Sequence, residues 1–239
     1  MAKEEKKEEV QNNLELPGYI WSEKPEEDWG EIRTNWFNVN SAYNPRCWIV
    51  DNFYEDPDSV RDFAFKQKYF PGEGAVGHRT RKQFFFEGIK ESFEEIMGKK
   101  IKENGVHGWY YPGINARFQW CPAGTNRVYH CDEQRYAALI YLTPNAPPES
   151  GTTFFKHKET GRRHNLDINW AAGEGSKVFP GDTFLDKTRY EQVDTVGNVY
   201  NRLVIFDGGL IHSATDYFGS SIENSRLHHM FFFNLEENT

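Results

Sequence analysis

From Asn115 to Phe233 the sequence is a succession of short apolar or alternating stretches, none longer than eight residues, separated by turn residues. Stretches of that length, rich in Val, Ile, Thr and aromatic residues, suit pleated strands. The expected strands are 115–121, 127–132, 135–142, 152–156, 176–179, 183–186, 202–206, 210–215 and 226–233. Aromatic residues make up 16% of the chain, a supply that fits a strand-rich core or a lined pocket. Upstream the texture changes. Cys47–Phe53 reads as a strand, and Asp56-Pro57 opens a helix with Asp56 as N-cap and Pro57 in the first helical position. Ile89, Phe93, Ile96, Met97 and Ile101 recur at helical spacing and mark a second helix. The fold class expected is α+β, mainly β: a sandwich or jelly-roll core over about 115–234, with helices of the 46–105 region packed against it.

Residues 1–16 read as a disordered charged tail, and 17–239 as a single domain. Seven of the first ten residues are charged, so this end has neither the pattern of a signal peptide nor that of an anchor. No stretch reaches the roughly 18 apolar residues that span a bilayer. A cytoplasmic protein with no membrane partner is expected. Thirty-six acidic against 28 basic residues give a net charge of −8, which argues against binding a phosphate backbone and so against nucleic acid as a partner. The three cysteines, Cys47, Cys121 and Cys131, contain no CxxC pair, so neither a disulfide framework nor a thiolate zinc site is expected.

Chemistry concentrates in Tyr129-His130-Cys131-Asp132. In a strand, residues two apart share a face, so His130 and Asp132 can reach one ion while Cys131 packs on the other side. Far downstream, the runs Leu203–Phe206 and Leu210–Ile211 flank a turn and end in His212. Two imidazoles and a carboxylate on one side of a metal form the facial triad of non-haem Fe(II) oxygenases, with positions left open for co-substrate and O2. Taken alone, His130-x-Asp132 is also what a core histidine beside a turn aspartate would give. Arg226 adds context, because an arginine opening the apolar strand Leu227–Phe233 is costly to bury without an anion, and a carboxylate accepts its forked donors in parallel.

Together, Trp120-Cys121-Pro122-Ala123-Gly124, His130-x-Asp132, Ile140-Tyr141-Leu142-Thr143, Ser150-Gly151-Thr152, Arg202-Leu203-Val204-Ile205-Phe206, His212 and Arg226 resemble the 2-oxoglutarate/Fe(II)-dependent dioxygenases, in their prolyl-hydroxylase-like branch. The resemblance covers roughly 115–234, with a weaker echo near 47–68. It implies a double-stranded β-helix, with His130, Asp132 and His212 as iron ligands and catalytic centre. It implies Arg226 and Tyr141 as the residues on the distal carboxylate of 2-oxoglutarate. The cofactors implied are Fe(II), 2-oxoglutarate as co-substrate and O2. The reaction implied is hydroxylation of a C–H bond, on a protein side chain or a small molecule, with release of succinate and CO2. Family members that halogenate lack the aspartate, so Asp132 favours hydroxylation.

Some features depart from the pattern. His130 and His212 are 82 positions apart, which points to insertions at 157–175 and 186–201 and an extra loop at 217–224. Trp120 stands where a tyrosine is frequent. His228 shares a strand face with Arg226, His229 is expected outward, and His157 and His164 are expected on a solvent-exposed hairpin. Two other readings stay open. A cupin-type metalloenzyme would use the same barrel with a third histidine or a glutamate and no need of Arg226. A non-catalytic jelly-roll binding module would need no metal.

Overall fold

Alternating apolar residues give each strand two different faces, and the pairing of those strands determines what each face meets. The computed structural model describes residues 47–71, 77–181 and 186–236. The chain divides into Met1–Asn44 and Pro45–Thr239, and every described residue belongs to the second unit. The expected charged tail, 1–16, lies outside the described residues, as does 183–185 of the expected strand 183–186.

Ten strands occur among the described residues: β1 (Cys47–Val50), β2 (Tyr69–Pro71), β3 (His78–Thr80), β4 (Arg117–Cys121), β5 (Tyr136–Tyr141), β6 (Thr152–His157), β7 (Tyr190–Val196), β8 (Leu203–Asp207), β9 (His212–Ala214) and β10 (Arg226–Phe233). They form a seven-stranded sheet in the order β1-β8-β5-β10-β4-β3-β2 and a three-stranded sheet in the order β7-β6-β9. Every neighbouring pair is antiparallel. An isolated bridge between His130 and His212 extends the small sheet beyond β9. The molecule is thus mostly β, with few helices.

Two helices cover one face of the large sheet. In α1 (Pro57–Phe65) the Asp56 carboxylate accepts from Ser59 N at 2.9 Å, and Pro57 occupies the first turn, where its missing N–H costs nothing. In α2 (Ile89–Met97) the buried residues Ile89, Phe93 and Met97 fall at intervals of four, and Gly98 ends the helix in the left-handed conformation at φ 62°. Ile101, read as part of the helical period, therefore lies beyond the helix end. Ala64, Phe93 and Met97 share a buried cluster with Ile140, Leu203, Leu227 and Phe231. Phe93 meets Phe231 edge-on at 5.2 Å, and Trp109 stacks on Phe231 at 5.3 Å. The other face of β5, β8 and β10 meets β6 through Ala137, Tyr141, Phe154, Val204 and Phe206.

Several expectations are corrected. Residues 127–132 make only the single bridge at His130, not a strand. Residues 176–179 overlap a short helix, α3 (Gly175–Val178). The 186–201 segment is not simply an insertion, because β7 lies within it and completes the small sheet. Glu191-Gln192-Val193-Asp194 are exposed, so this edge strand carries almost no apolar signal. His157 is buried at 1% exposure, its Nδ1 accepting from Thr160. His164 is buried as well, and so is His229, at 0% exposure. His229 points away from the cavity but into the helix-covered core, stacked on Phe118 and bonded through Nδ1 to the Tyr54 hydroxyl at 2.8 Å. No helix among the described residues is long and apolar enough to cross a membrane.

Candidate metal centre

The turn from β8 to β9 brings distant residues together. Asp207 closes β8, and Gly208-Gly209-Leu210-Ile211 carry the chain across to His212. On this path Gly208 O accepts from Asp132 N at 2.7 Å. His130 and His212 exchange backbone hydrogen bonds, N to O at 3.2 Å and 2.9 Å, so they sit directly opposite one another. The turn is held by Asp207. Its Oδ1 accepts from His164 Nε2 at 3.1 Å and Gly209 N at 3.0 Å, and its Oδ2 pairs with Arg135 at 3.0 Å. His164 Nδ1 accepts from Leu166 N, which leaves its proton on Nε2 for Asp207.

Ligand atoms of His130, Asp132 and His212 lie within 4.8 Å of one another. His130 Nε2 is 3.4 Å from Asp132 Oδ1, and His212 Nε2 is 3.5 Å from Asp132 Oδ2. Each ring's far nitrogen faces a carbonyl: His130 Nδ1 donates to Val128 O at 2.9 Å and His212 Nδ1 donates to Leu210 O at 2.8 Å. A carbonyl can only accept, so both protons sit on Nδ1 and both Nε2 lone pairs point inward. Asp132 Oδ2 is buried and has no hydrogen-bond partner. Such an oxygen costs on the order of 1–3 kcal/mol if nothing compensates it. Burial and the neighbouring His130 push the His212 pKa down to about 4, which keeps that imidazole neutral, whereas the Asp132 carboxylate, against the opposing effect of burial, raises that of His130. Two lone pairs and an unpartnered carboxylate oxygen converging on one point fit a divalent cation.

The triad lines a cavity of about 340 Å³ whose wall also includes Arg226, His228 and Arg79. Alternation along β10 explains the first two, since Arg226, His228, Met230 and Phe232 face the cavity while Leu227 and Phe231 face the helices. Arg226 is 3% exposed. It donates to Ser150 O at 3.0 Å, Gly151 O at 3.2 Å and His228 Nδ1 at 3.3 Å, all uncharged acceptors. Among the described residues no carboxylate pairs with it. Burial, followed by the Arg226 and Arg79 charges, drives the His228 pKa well below the ordinary value, so this ring is neutral. Tyr141 is fully buried beside Arg226, the guanidinium carbon 5.3 Å from its ring centre, and its hydroxyl bonds Thr152 Oγ1 at 2.8 Å. Thr152 in turn lines the cavity.

Sequence reasoning missed Arg79 and Gln119. Arg79 lies on a three-residue strand, too short for any period, and Gly77 at φ 79° leads into it. A side chain on Gly77 would lie 2.5 Å from Cys121 Sγ, so the glycine is what lets this segment approach β4. Trp120 is not among the cavity-lining residues; it packs against the helix-side cluster and stacks on His78 at 4.3 Å. Cys131 lies behind its two neighbours, against the Tyr129, Ile168 and Val178 cluster.

One protein family, described as a family of unknown function (DUF6445), matches residues 33–227. No curated protein matches the sequence. Solved structures similar to the chain include HygX from Streptomyces hygroscopicus with nickel, 2-oxoglutarate and hygromycin B bound, at 10% identity and TM-score 0.47, over 78% of this chain and 82% of that one. A Pseudomonas putida prolyl-4-hydroxylase matches at 13% identity and TM-score 0.42, over 80% and 93%. A prolyl hydroxylase from Trichoplax adhaerens, in complex with a hypoxia inducible factor oxygen degradation domain peptide fragment, matches at 12% identity and TM-score 0.43, over 89% and 94%.

Proposed function

The chain belongs to this family of unknown function, DUF6445, and we propose that it is a non-haem Fe(II)- and 2-oxoglutarate-dependent oxygenase. Its reaction is hydroxylation of a C–H bond, on a protein side chain or a small molecule, with release of succinate and CO2. The observation that carries this reading is the buried, carboxylate-free Arg226 in the same cavity as the His130, Asp132 and His212 donor set. A metal site alone would need no such arginine. A dicarboxylate that also ligates a metal accounts for both.

Strand order supports a double-stranded β-helix beneath the site. Within the large sheet β4-β10-β5-β8 are consecutive, and within the small one the His130 bridge, β9, β6 and β7 are consecutive. From β4 onward the chain passes repeatedly between the two sheets, as a jelly roll requires.

Bound Fe(II) and 2-oxoglutarate supply oxidative chemistry, in which decarboxylation of the co-substrate drives insertion of oxygen from O2. The protein's share is positioning. His130 and His212 present fixed lone pairs, because Val128 O and Leu210 O hold the opposite ring protons. Asp132 supplies the anionic donor, aligned by Gly208 O through its own backbone N–H. Arg226 receives the distal carboxylate, its planar head oriented by Ser150 O and Gly151 O. Tyr141 fixes Thr152 beside that carboxylate. The cupin reading leaves Arg226 without a task, and the binding-module reading leaves the triad without one.

Anaerobic titration with Fe(II) and 2-oxoglutarate tests the proposal through the metal-to-ligand charge-transfer band. Wild type should develop the band, and Arg226→Ala should lower 2-oxoglutarate affinity by on the order of 100-fold or more, the scale for truncating a buried charge partner. No band in wild type, or undiminished affinity in Arg226→Ala, sinks it.

A further inference from the structure

The cavity is lined by a second arginine besides Arg226. Arg79 on β3 donates from Nε and Nη2 to one neutral acceptor, Gln119 Oε1, at 2.9 Å and 2.6 Å. Among the described residues it pairs with no carboxylate. Register separates it from Arg226. Arg79 pairs with Gln119, Gln119 with His228, and His228 with Tyr141, a row across four strands. At roughly 4.8 Å per strand, Arg79 starts about 10 Å across the sheet from β10. The Arg226 head is tied the other way, to Ser150 and Gly151, with the neutral His228 ring between the two. One small dicarboxylate held on Arg226 and on the metal leaves Arg79 unanswered.

Charge balance states the remaining need. Among the described lining residues the permanent charges are Arg79, Arg226 and Asp132. Two positive charges on the metal cancel the two negative charges of 2-oxoglutarate. Among the described residues two arginines then face one aspartate, and a single positive charge is left in a partly buried site where an unpaired ion is expensive. The rest of the wall mixes polar groups, Gln119, Thr152, Ser213 and Tyr217 among them, with the apolar side chains of Leu139, Met230 and Phe232. From these observations, and resting on the oxygenase reading above, we propose that the primary substrate is a monocarboxylate on an apolar body, its carboxylate taken by Arg79. Arg79 is thus a specificity-determining residue, and Gln119 holds its guanidinium in place.

The test compares hexanoate with hexanamide, which share a shape and differ in charge, by calorimetric titration. In anaerobic wild type loaded with Fe(II) and 2-oxoglutarate, hexanoate should bind about tenfold or more tighter than hexanamide, the scale of one hydrogen bond to a charged group. Arg79→Gln should abolish that preference, while Arg79→Lys should retain part of it. Arg226→Ala without co-substrate should still prefer the acid, an arm that does not depend on the oxygenase reading. Equal binding of acid and amide by wild type overturns the proposal, as does an acid preference that survives in Arg79→Gln. Loss of the 2-oxoglutarate band in Arg79→Gln would also overturn it, by making Arg79 a co-substrate residue. Absence of the band in wild type, with the acid preference intact in Arg226→Ala, would sink the oxygenase reading and keep the Arg79 carboxylate site.

Discussion

Gly208 decides how closely the β8–β9 turn can approach Asp132. A Cβ there would lie 2.5 Å from Gln134 O and 3.1 Å from Asp132 Cβ, so any side chain displaces backbone or the carboxylate. Gly208→Ala should therefore act on the metal more than on the fold. The expectation is a drop in metal affinity of roughly 10- to 100-fold, the range for disturbed ligand support, with about 1–3 kcal/mol lost from metal-free stability through overpacking. Competition with a chelating dye measures the first and urea unfolding the second; unchanged metal affinity would refute the argument. At this scale the period of two places Arg226 and His228 on one face of β10, whereas His130 and Asp132 share a side without lying in a strand. Gly208 and Arg79 were not legible. The role of the glycine exists only once residues 132 and 208 are adjacent, and Arg79 comes from a strand of three residues.

Among the elements, α2 is fastened by a buried acid. Glu94 Oε1 accepts from Lys90 Nζ and Ile101 N, each at 3.0 Å, and its Oε2 accepts from Lys100 Nζ at 2.6 Å. Ile101 in turn bridges to Leu235 just after β10, so one carboxylate links the helix end to the sheet. Burial pushes the Glu94 pKa up, but the hydrogen bonds from Lys100, Ile101 N–H and Lys90 outweigh it and hold the value at about 2, below the ordinary 4.5. A depressed folded-state pKa stabilises the fold fully above the unfolded value and loses that contribution as pH falls through the folded one. Wild type should thus lose this stability between about pH 4.5 and 2, and Glu94→Gln should remove that part of the acid dependence. At pH 7 the substitution should cost about 1–3 kcal/mol, seen as a lower urea midpoint; parallel acid profiles for the two proteins would contradict it. Element legibility followed burial. β10 and β5 are apolar or alternating and match the expected strands to within a residue or two, whereas β7 is a polar edge whose pattern suggests an insertion. Residues 127–132 have a strand's pattern, yet past His130 the pairing runs to Gly208 rather than along β9.

For the molecule as a whole, the donor set joins parts of the chain that the sequence keeps far apart. His130 and Asp132 lie between β4 and β5, and His212 opens β9, so a metal bound by all three cross-links a connection of the large sheet to the small sheet. An unfolded chain offers no such cluster, so metal binds the native state and stabilises it by mass action. At a free metal concentration 100 times Kd the gain is about 2.7 kcal/mol. For a chain of this length each kcal/mol moves the melting temperature roughly 2–4 °C, so chelator-treated protein should gain roughly 5–10 °C on anaerobic addition of Fe(II) or Mn(II). Asp132→Ala should abolish most of that rise, because it removes the one anionic donor and the one unpartnered buried oxygen of the centre. 2-Oxoglutarate should raise the melting temperature further, and more with metal present than without, because its grip is shared between the ion and Arg226. Differential scanning calorimetry of the apo, metal-loaded and doubly loaded forms distinguishes the cases. A rise of equal size in Asp132→Ala would mean that the metal binds elsewhere, and an effect of 2-oxoglutarate indifferent to metal would separate Arg226 from the triad.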